Sequence, residues 1–413
     1  MVITHFFLIL VIVIINRSIK EIFKQTVNIY TILSVIWVVF VSMAILTNRY
    51  LGDYPTIGLE AVFMADMFII TVGVIMILIS KVETSNKNKK VQPTNILNYK
   101  ALNTIVHLLF IVFILSNFLY FIRLNELIGL RNIVLNPYLW KSASLSENIN
   151  ENSILYIGRN IPILGSLLLI VFLKKRKFYT FILVMIYYLV SLTNIRRDPV
   201  MIQLIYFILP FIINYGNSVT KIVKVLIPTI SLFLVIFITT MDFLTFGSDL
   251  TAQTIASYTF GSFNSLQYAL KNGYQNFSQI PLNYSFYWVY TITKFLFSNI
   301  SVPNIILQSV PNGGNVYTGL INIVIDSKGN LYTLLIVFVI YTFYVSIILY
   351  SSMRFLQNKL NLFSIAYYGA VLSASIRFYM NPTFSGTEIF FSLIIGIILQ
   401  ILYMFLINKK GVI

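Results

Sequence analysis

The amino-acid sequence predicts an all-α polytopic membrane protein, and three observations support this prediction. Of its 413 residues, 58% are hydrophobic and only 10% are charged, and the mean hydropathy is +0.85. Apolar runs of about 20 residues recur along the chain, which is the length that an α-helix needs to cross a bilayer. No polar stretch is long enough for a separate globular domain, so residues 1–413 are expected to form a single integral membrane domain.

The apolar runs predict about eleven transmembrane helices. They lie near residues 2–16, 28–47, 59–80, 101–122, 154–173, 178–194, 199–217, 222–244, 330–351, 362–380 and 387–407. The first run has the length of a signal-peptide core, but it has no basic segment before it and no small-residue cleavage site after it. We therefore expect it to be retained as a span.

The basic residues predict the orientation of these spans. Eighteen of the 29 Lys and Arg residues, but only two of the 13 acidic residues, lie on alternate connecting segments. The positive-inside rule assigns these segments to the cytoplasm, with the N-terminus outside and the C-terminus inside. The basic balance thus indicates orientation and contact with anionic membrane lipids, and nucleic acid is not an expected partner.

The longest outer loop, about 245–329, contains an aromatic stretch at 284–297 that could pass for a further span. A crossing there would invert every later segment and would place Arg354 and Lys409 outside. An interfacial or re-entrant helix is the better interpretation, because Trp288 and the tyrosines around it suit the depth of the headgroups.

Two adjacent arginines, Arg196 and Arg197, follow one predicted span and precede the next on the outer side, and Asp198 follows them. Their side chains could extend to the membrane–water interface, where Asp198 and lipid phosphate would balance their positive charge. Alternatively they bind a phosphate group, because the guanidinium presents a rigid set of donors that matches phosphate oxygens and stays charged in low dielectric. Two neighbouring arginines could then contact both phosphates of a pyrophosphate.

A further arginine, Arg377, lies within the outer end of the tenth predicted span. A charge in this position is costly, so it is expected to face the protein interior and to have a partner. Either it forms a structural ion pair with Glu388, just across a short turn, or it is a third cation for the same anionic ligand.

A glycine-rich segment from Asn312 to Gly319, which includes Asn315 and Tyr317, precedes Asp326 in the outer loop. Its glycines permit a close approach to a ligand. Asp326 is a candidate general base or acceptor for a sugar hydroxyl, although an acid before a helix is also favourable for the helix dipole.

The remaining ionisable groups in the spans are few. Glu60, Asp66 and Asp242 are intramembrane acids, which mark function by default but could equally pair with the arginines. His5 and His107 lie on apolar helices without metal-ligand spacing, so they are expected to be satisfied or lipid-facing.

Several catalytic motifs are absent from the sequence. It contains no Cys, no Asp-x-Asp pair, no P-loop, no His-Glu-x-x-His and no Gly-x-Ser-x-Gly. These absences argue against thiol, ATP-driven, metallohydrolase and serine-hydrolase chemistry, and neither a metal nor a cofactor is expected.

With these passages in order, the chain resembles the O-antigen or oligosaccharide repeat-unit polymerases known as Wzy. The resemblance covers the predicted topology of nearly the whole chain and three local passages: the Arg196 and Arg197 pair, the segment from Asn315 to Gly329, and Arg377 with the residues up to Phe384. Members of this family are similar in having ten to fourteen spans, large outer loops and essential outward-facing arginines.

The resemblance implies glycosyl transfer at the periplasmic face of the bacterial inner membrane, in the biosynthesis of lipopolysaccharide or another surface polysaccharide. A sugar hydroxyl of one undecaprenyl-diphosphate-linked repeat unit would attack the anomeric carbon of a second lipid-linked glycan and release the lipid diphosphate. Arg196, Arg197 and Arg377 would bind the pyrophosphate, Asp326 or, second, Glu388 would be the base, and Asn315, Tyr317 and Trp288 would contact sugars or lipid. Lipid-linked glycans are the expected substrates, and a chain-length regulator and a flippase are the expected protein partners.

Two other functions stay open from the sequence. A flippase or secondary transporter of the same lipid-linked sugar would also need interior arginines, but the odd number of spans and the lack of matching halves argue against it. An O-antigen ligase would have a similar architecture. Such ligases usually carry a histidine in the large outer loop, and none lies between residues 245 and 329.

Overall fold

A computed structural model describes most of the membrane-embedded part of the chain. The described residues are 1–47, 57–85, 98–135, 158, 161–192, 197–225, 227–228, 231, 262–263, 265–271, 284–296, 319–358, 360–378, 383–386 and 388–408.

All regular elements among the described residues are helical. The α-helices are α1 (Val2–Phe23), α2 (Ile29–Thr47), α3 (Leu59–Ser85), α4 (Tyr99–Ile128), α5 (Leu130–Leu135), α6 (Pro162–Lys175), α7 (Phe178–Leu192), α8 (Arg197–Tyr215), α9 (Tyr287–Leu296), α10 (Ile321–Ser327), α11 (Leu331–Asn358), α12 (Leu362–Arg377) and α13 (Glu388–Asn408). A short 3-10 turn covers Thr383–Ser385.

In the part of the chain that the structure describes, six helices are long and apolar enough to cross a membrane, so the prediction of an all-α, multi-pass membrane protein is confirmed at that level. They are α1, α2, α3, α4, α11 and α13, and the apolar helices α7 and α8 are shorter. Large aliphatic and aromatic side chains are exposed along these helices, for example Phe6 and Phe118, as is expected of surfaces that face lipid. The predicted eighth span, 222–244, lies mostly outside the described residues.

The chain divides into two compact units. Unit 1 comprises residues 1–95 and 250–396, and unit 2 comprises residues 96–249 and 397–413. The expectation of one integral membrane domain over residues 1–413 stays a prediction.

Helix α12 is the central helix of unit 1, and nearly all of its 16 residues are buried. It begins with a capping box, in which the Asn361 side chain accepts from the Ser364 backbone N–H and the Ser364 side chain accepts from the Asn361 N–H. Such a cap satisfies backbone donors that would otherwise be unpaired at a helix start. The cap therefore fixes where α12 begins. Arg377 lies at the other end of this helix.

The opposite end of unit 1 is tied by an ion pair between α3 and α11. Arg354 Nε lies 3.0 Å from Glu83 Oε2, and Tyr350 donates its hydroxyl to the same carboxylate. Gln357 of α11 donates to the backbone carbonyl of Phe23, the last residue of α1. The ends of three long helices are thus joined by polar contacts at this level.

Helix α6 is the central helix of unit 2, and every residue from Ile163 to Val171 is buried. It begins with Pro162, which suits the first helical position because it lacks the N–H that would be unpaired there. Gly165 admits the ring of Tyr187 from α7, since a Cβ at this position would lie 2.5 Å from that ring. Tyr187 in turn donates its hydroxyl to the Ile161 carbonyl at 2.9 Å.

Candidate functional site

Arg377 is the last residue of α12, and its side chain is only 4% exposed. Its Nη2 donates to Oε2 of Glu388, the first residue of α13, whose side chain is 50% exposed. The ion pair across the short turn, one of the two alternatives for Arg377, is therefore present in the structure.

The guanidinium of Arg377 is only partly satisfied by this pair. Its Nε is buried and has no hydrogen-bond partner. An arginine carries five N–H donors, and an unpaired buried donor costs free energy. Arg377 thus holds donor capacity that a second acceptor could use, and the side chain of its present partner is half exposed.

Aromatic packing fixes the backbone that carries Arg377. The next residue, Phe378, is fully buried, and its ring stacks on Trp37 of α2 with centroids 5.4 Å apart. It also contacts Phe68 of α3 at 5.2 Å and Phe384 of the 3-10 turn at 5.1 Å. Since these rings surround Phe378, the position of the neighbouring guanidinium is set by the core of unit 1.

The end of the glycine-rich segment is docked on the same residue. Gly319 donates its backbone N–H to the Phe378 carbonyl at 2.8 Å, and a Cβ on Gly319 would lie 1.8 Å from the Phe378 ring. Only glycine fits this contact. Asn315 and Tyr317, the predicted sugar contacts in this segment, lie outside the described residues.

Asp326 lies on α10 and is 5% exposed. Its two carboxylate oxygens accept from the backbone N–H groups of Tyr284, at 3.2 Å, and Ser285, at 2.8 Å. Burial is the largest influence on this carboxyl and raises its pKa, against the opposing effect of the hydrogen bonds from Ser285 and Tyr284. Asp326 therefore anchors the turn that precedes α9.

Trp288 lies on α9, the helix that Asp326 anchors. Its ring is nearly parallel to those of Tyr344, 6.3 Å away, and Phe390, 6.1 Å away. Phe390 stands two residues after Glu388 on α13. Trp288, Asp326, Arg377 and Glu388 therefore belong to one packed region of unit 1, which we call the Arg377 site.

The structure describes only part of the arginine pair that lies between the sixth and seventh predicted spans. Arg197 is the first residue of α8 and belongs to unit 2, and four residues separate it from the end of α7. Arg196 lies outside the described residues, and the Arg197 side chain is not described either. Their role as phosphate ligands stays a prediction.

The intramembrane acids have partners that the sequence did not indicate. Glu60 accepts a hydrogen bond from Gln267 Nε2 at 2.9 Å, while Gln267 Oε1 accepts from the N–H groups of Gly58 and Ala61 at the start of α3. Gln267 lies more than 200 residues from its partners, so no local pattern could have identified it.

Asp66 pairs with His5 rather than with an arginine. Asp242 lies outside the described residues.

Within the described part of the chain, no group of three or more His, Asp or Glu side chains could hold a metal ion. Comparisons with known proteins found no match: no protein-family model, no curated protein and no solved structure is similar to this chain. Function must therefore be inferred from the residues of the site.

Proposed function

We propose that this protein is a membrane-embedded, metal-independent glycosyltransferase that polymerises polyprenyl-diphosphate-linked oligosaccharide repeat units into O-antigen or a similar surface polysaccharide. The observation that carries the proposal is Arg377, a buried arginine with an unpaired Nε whose counter-ion is half exposed. Such an arginine can exchange its carboxylate for a phosphate oxygen without leaving its position.

The proposed topology has eleven spans, an outside N-terminus and a cytoplasmic C-terminus, in the inner membrane of a bacterium. The Arg354–Glu83 pair supports it, because both residues belong to segments that the charge distribution assigns to the cytoplasmic side. Arg377 is at the other end of α12, which at 1.5 Å per residue is roughly 24 Å long. In this topology the Arg377 site faces the periplasm.

In the proposed reaction, the pyrophosphate of the donor displaces the Glu388 carboxylate from Arg377. The acceptor hydroxyl oxygen then forms a bond to the anomeric carbon of the donor, and the bond from that carbon to the diphosphate oxygen breaks. Arg377 stabilises the negative charge that develops on the diphosphate. Glu388, released from its ion pair, accepts the proton of the hydroxyl.

The surroundings of the two candidate bases support Glu388 over Asp326. Asp326 is buried, and both of its oxygens accept from backbone N–H groups, so a proton transfer would compete with the anchoring of α9. Glu388 is half exposed, and among the described residues its carboxylate is bonded to the arginine that the donor would occupy. We assign Asp326 to positioning of the loop and Glu388 to proton transfer.

Other predicted residues take secondary parts in this proposal. Trp288 contacts a sugar or the lipid beside Glu388, and Asn315 and Tyr317 contact sugars. Arg196 and Arg197 are proposed separately as phosphate ligands at the start of α8.

The test is a gel of surface polysaccharide from a strain that lacks this gene. We expect this strain to lose long polysaccharide chains and to retain single repeat units on its surface lipid. Complete loss of the surface sugar would favour a flippase or transporter. Polymer that accumulates on the polyprenyl carrier without transfer to lipid A would favour a ligase.

A further inference from the structure

Three polar side chains meet between the first three helices of unit 1. His5 Nδ1 lies 2.7 Å from Asp66 Oδ2, and His5 Nε2 lies 3.0 Å from Ser42 Oγ. His5 comes from α1, Ser42 from α2 and Asp66 from α3. The Ser42 hydroxyl, the His5 imidazole and the Asp66 carboxylate thus form one chain of hydrogen bonds, in which each ring nitrogen of His5 has one partner.

This cluster, which we call the His5 site, is enclosed in the bundle. His5 is 5% exposed and Asp66 is fully buried, and Asp66 Oδ1 has no hydrogen-bond partner. An ionisable pair in a membrane-spanning bundle is costly, and such pairs commonly mark proton or substrate sites. The hydrogen bond from His5 to Oδ2 offsets only part of the free energy that burial of the Asp66 carboxylate costs, because Oδ1 is left unbonded.

Among the described residues, His5 is the ionisable side chain within hydrogen-bond distance of Asp66. On the packed helices, Tyr30 of α2 donates its hydroxyl to the Ile69 carbonyl, and Tyr341 of α11 contacts the Phe68 ring. The other acid near the start of α3, Glu60, is bound by Gln267. The His5–Asp66 pair is therefore a separate electrostatic unit.

The His5 site lies toward one end of its helices. His5 is the fourth residue of α1, Ser42 is five residues before the end of α2, and Asp66 is the eighth residue of α3. At 1.5 Å per residue, the site lies roughly 5–10 Å from those helix ends. A proton would therefore have to cross only a short apolar distance to reach it.

We propose that the His5 site is a proton-binding site, a function distinct from glycosyl transfer. Without the proton, neutral His5 donates Nδ1–H to the Asp66 carboxylate and accepts the Ser42 hydroxyl proton at Nε2, and the pair carries a charge of −1. Uptake of one proton at Nε2 gives an imidazolium beside the carboxylate and a net charge of zero.

Ser42 is the residue that makes both states possible. A serine hydroxyl both donates and accepts, so it donates to Nε2 in the unprotonated state and accepts from Nε2–H after proton uptake. Neither state leaves a ring nitrogen unpaired. A purely structural contact would need only one of these two arrangements.

The same three residue types form the triad of serine hydrolases, but a nucleophilic role for Ser42 is disfavoured here. Acyl transfer requires N–H donors directed at a developing oxyanion. Ser42 lies inside α2, where the backbone N–H groups are used in helical hydrogen bonds. Proton binding requires no such donors.

The two histidines of the chain give a direct test. His107→Gln leaves His5 as the single histidine, and ¹⁵N-histidine NMR of this variant in lipid nanodiscs follows its ring nitrogens between about pH 4.5 and 9. We expect one reversible transition at Nε2 with unchanged helix content. Asp66→Asn in the same background should move the midpoint by about one pH unit or more, since it removes an opposite charge within hydrogen-bond distance.

Glu60→Gln is the matched control, because it neutralises the other acid near the start of α3 and leaves the His5 site intact. It should not move the midpoint. Absence of a transition would overturn the proposal, and this measurement needs no change within the site. A midpoint that is unchanged by Asp66→Asn, or moved equally by Glu60→Gln, would overturn it as well. Failure of the proposed polymerase function would leave these results unaffected.

Discussion

Two of the arginine–glutamate pairs described in unit 1, Arg354–Glu83 and Arg377–Glu388, differ in how fully their guanidinium groups are bonded. Arg354 contacts Glu83 at 3.0 Å, the Tyr350 hydroxyl at 3.1 Å and Gln357 Oε1 at 3.4 Å, and it lies over the ring of Phe23. Among the described residues, Arg377 has one ion-pair partner, Glu388, and its buried Nε has no hydrogen-bond partner. The first pair is thus surrounded by acceptors and aromatic rings, and the second is not.

This difference supports the proposal that the Arg354 pair is structural and that the Arg377 pair binds a ligand. The Arg354 and Glu83 side chains are similarly shielded, at 22% and 27% exposure, so the guanidinium and the carboxylate of that pair are both held in place. In the Arg377 pair the exposures are 4% and 50%, so the cation is fixed and the anion is open to solvent. A fixed cation with an exchangeable anion is what recognition of a phosphate requires.

The strongest contrast is expected from removal of each arginine. Arg377→Ala should lower the polymerisation rate by about 100-fold or more, the usual loss when a group that stabilises transition-state charge is removed. Arg354→Ala is the matched control and should lower thermal stability while retaining most activity. The measurement is the distribution of polysaccharide chain lengths on a gel, with protein amount checked by immunoblot. Equal losses in both variants would remove the distinction between the pairs.

The glutamates should show the next largest contrast. Glu388→Gln should lower the rate by roughly 100-fold, because it removes the proposed base, while an isosteric amide still fits beside Arg377. Glu83→Gln, its counterpart in the structural pair, should change activity little. Single-turnover rates with purified lipid-linked repeat units would measure this. Full activity of Glu388→Gln would leave Glu388 as a counter-ion alone.

Gly319→Ala should disturb the site without touching either charge. A Cβ there would lie 1.8 Å from the Phe378 ring, so the segment or the ring must move, at a cost of about 1–3 kcal/mol. Gly386→Ala is the matched control, because its Cβ would make only a 3.4 Å contact with the Thr383 carbonyl. Thermal unfolding in detergent compares the two variants, and equal melting temperatures would contradict the docking of Gly319 on Phe378.

An effect of similar size, but dependent on pH, is expected at Asp326. Because burial raises its pKa in the folded protein, its contribution to stability is complete below the ordinary value of 3.8 and is lost as pH rises through the folded-state pKa. Asp326→Asn should remove this pH dependence and cost about 1–3 kcal/mol, since the amide keeps only one of the two side-chain oxygens that accept from the backbone N–H groups of Tyr284 and Ser285. Unfolding measured across acidic to neutral pH would show a steeper slope in the unchanged protein, and identical slopes would contradict the assignment.

The helices could be predicted from the sequence because their signal is local. Apolar runs of the right length overlap ten of the described helices, and those for α2 and α13 agree to within one residue at each end. Arg377 and Glu388 were also identified locally, since a charge beside an apolar run and an acid across a short turn are both visible in the sequence.

The contacts that assemble the site could not be predicted in this way. Asp326 was expected near a reacting hydroxyl. In the structure its carboxylate instead accepts hydrogen bonds from a backbone turn more than 40 residues earlier. The His5–Asp66 contact joins residues 61 positions apart, and His5 alone gave no indication of it. Such pairings depend on which helices pack together, which periodicity and composition leave open.

The placement of the tryptophans gives the protein an optical property. Trp37 is stacked beneath Phe378, Trp288 lies beside the first turn of α13, and the third tryptophan, Trp140, lies outside the described residues. Indole emission responds to nearby charge and polarity, so exchange of Glu388 for a phosphate would alter the signal of Trp288 more than that of the enclosed Trp37. With Trp37 and Trp140 replaced by phenylalanine, unlabelled protein would report anion arrival at Arg377 through its own fluorescence.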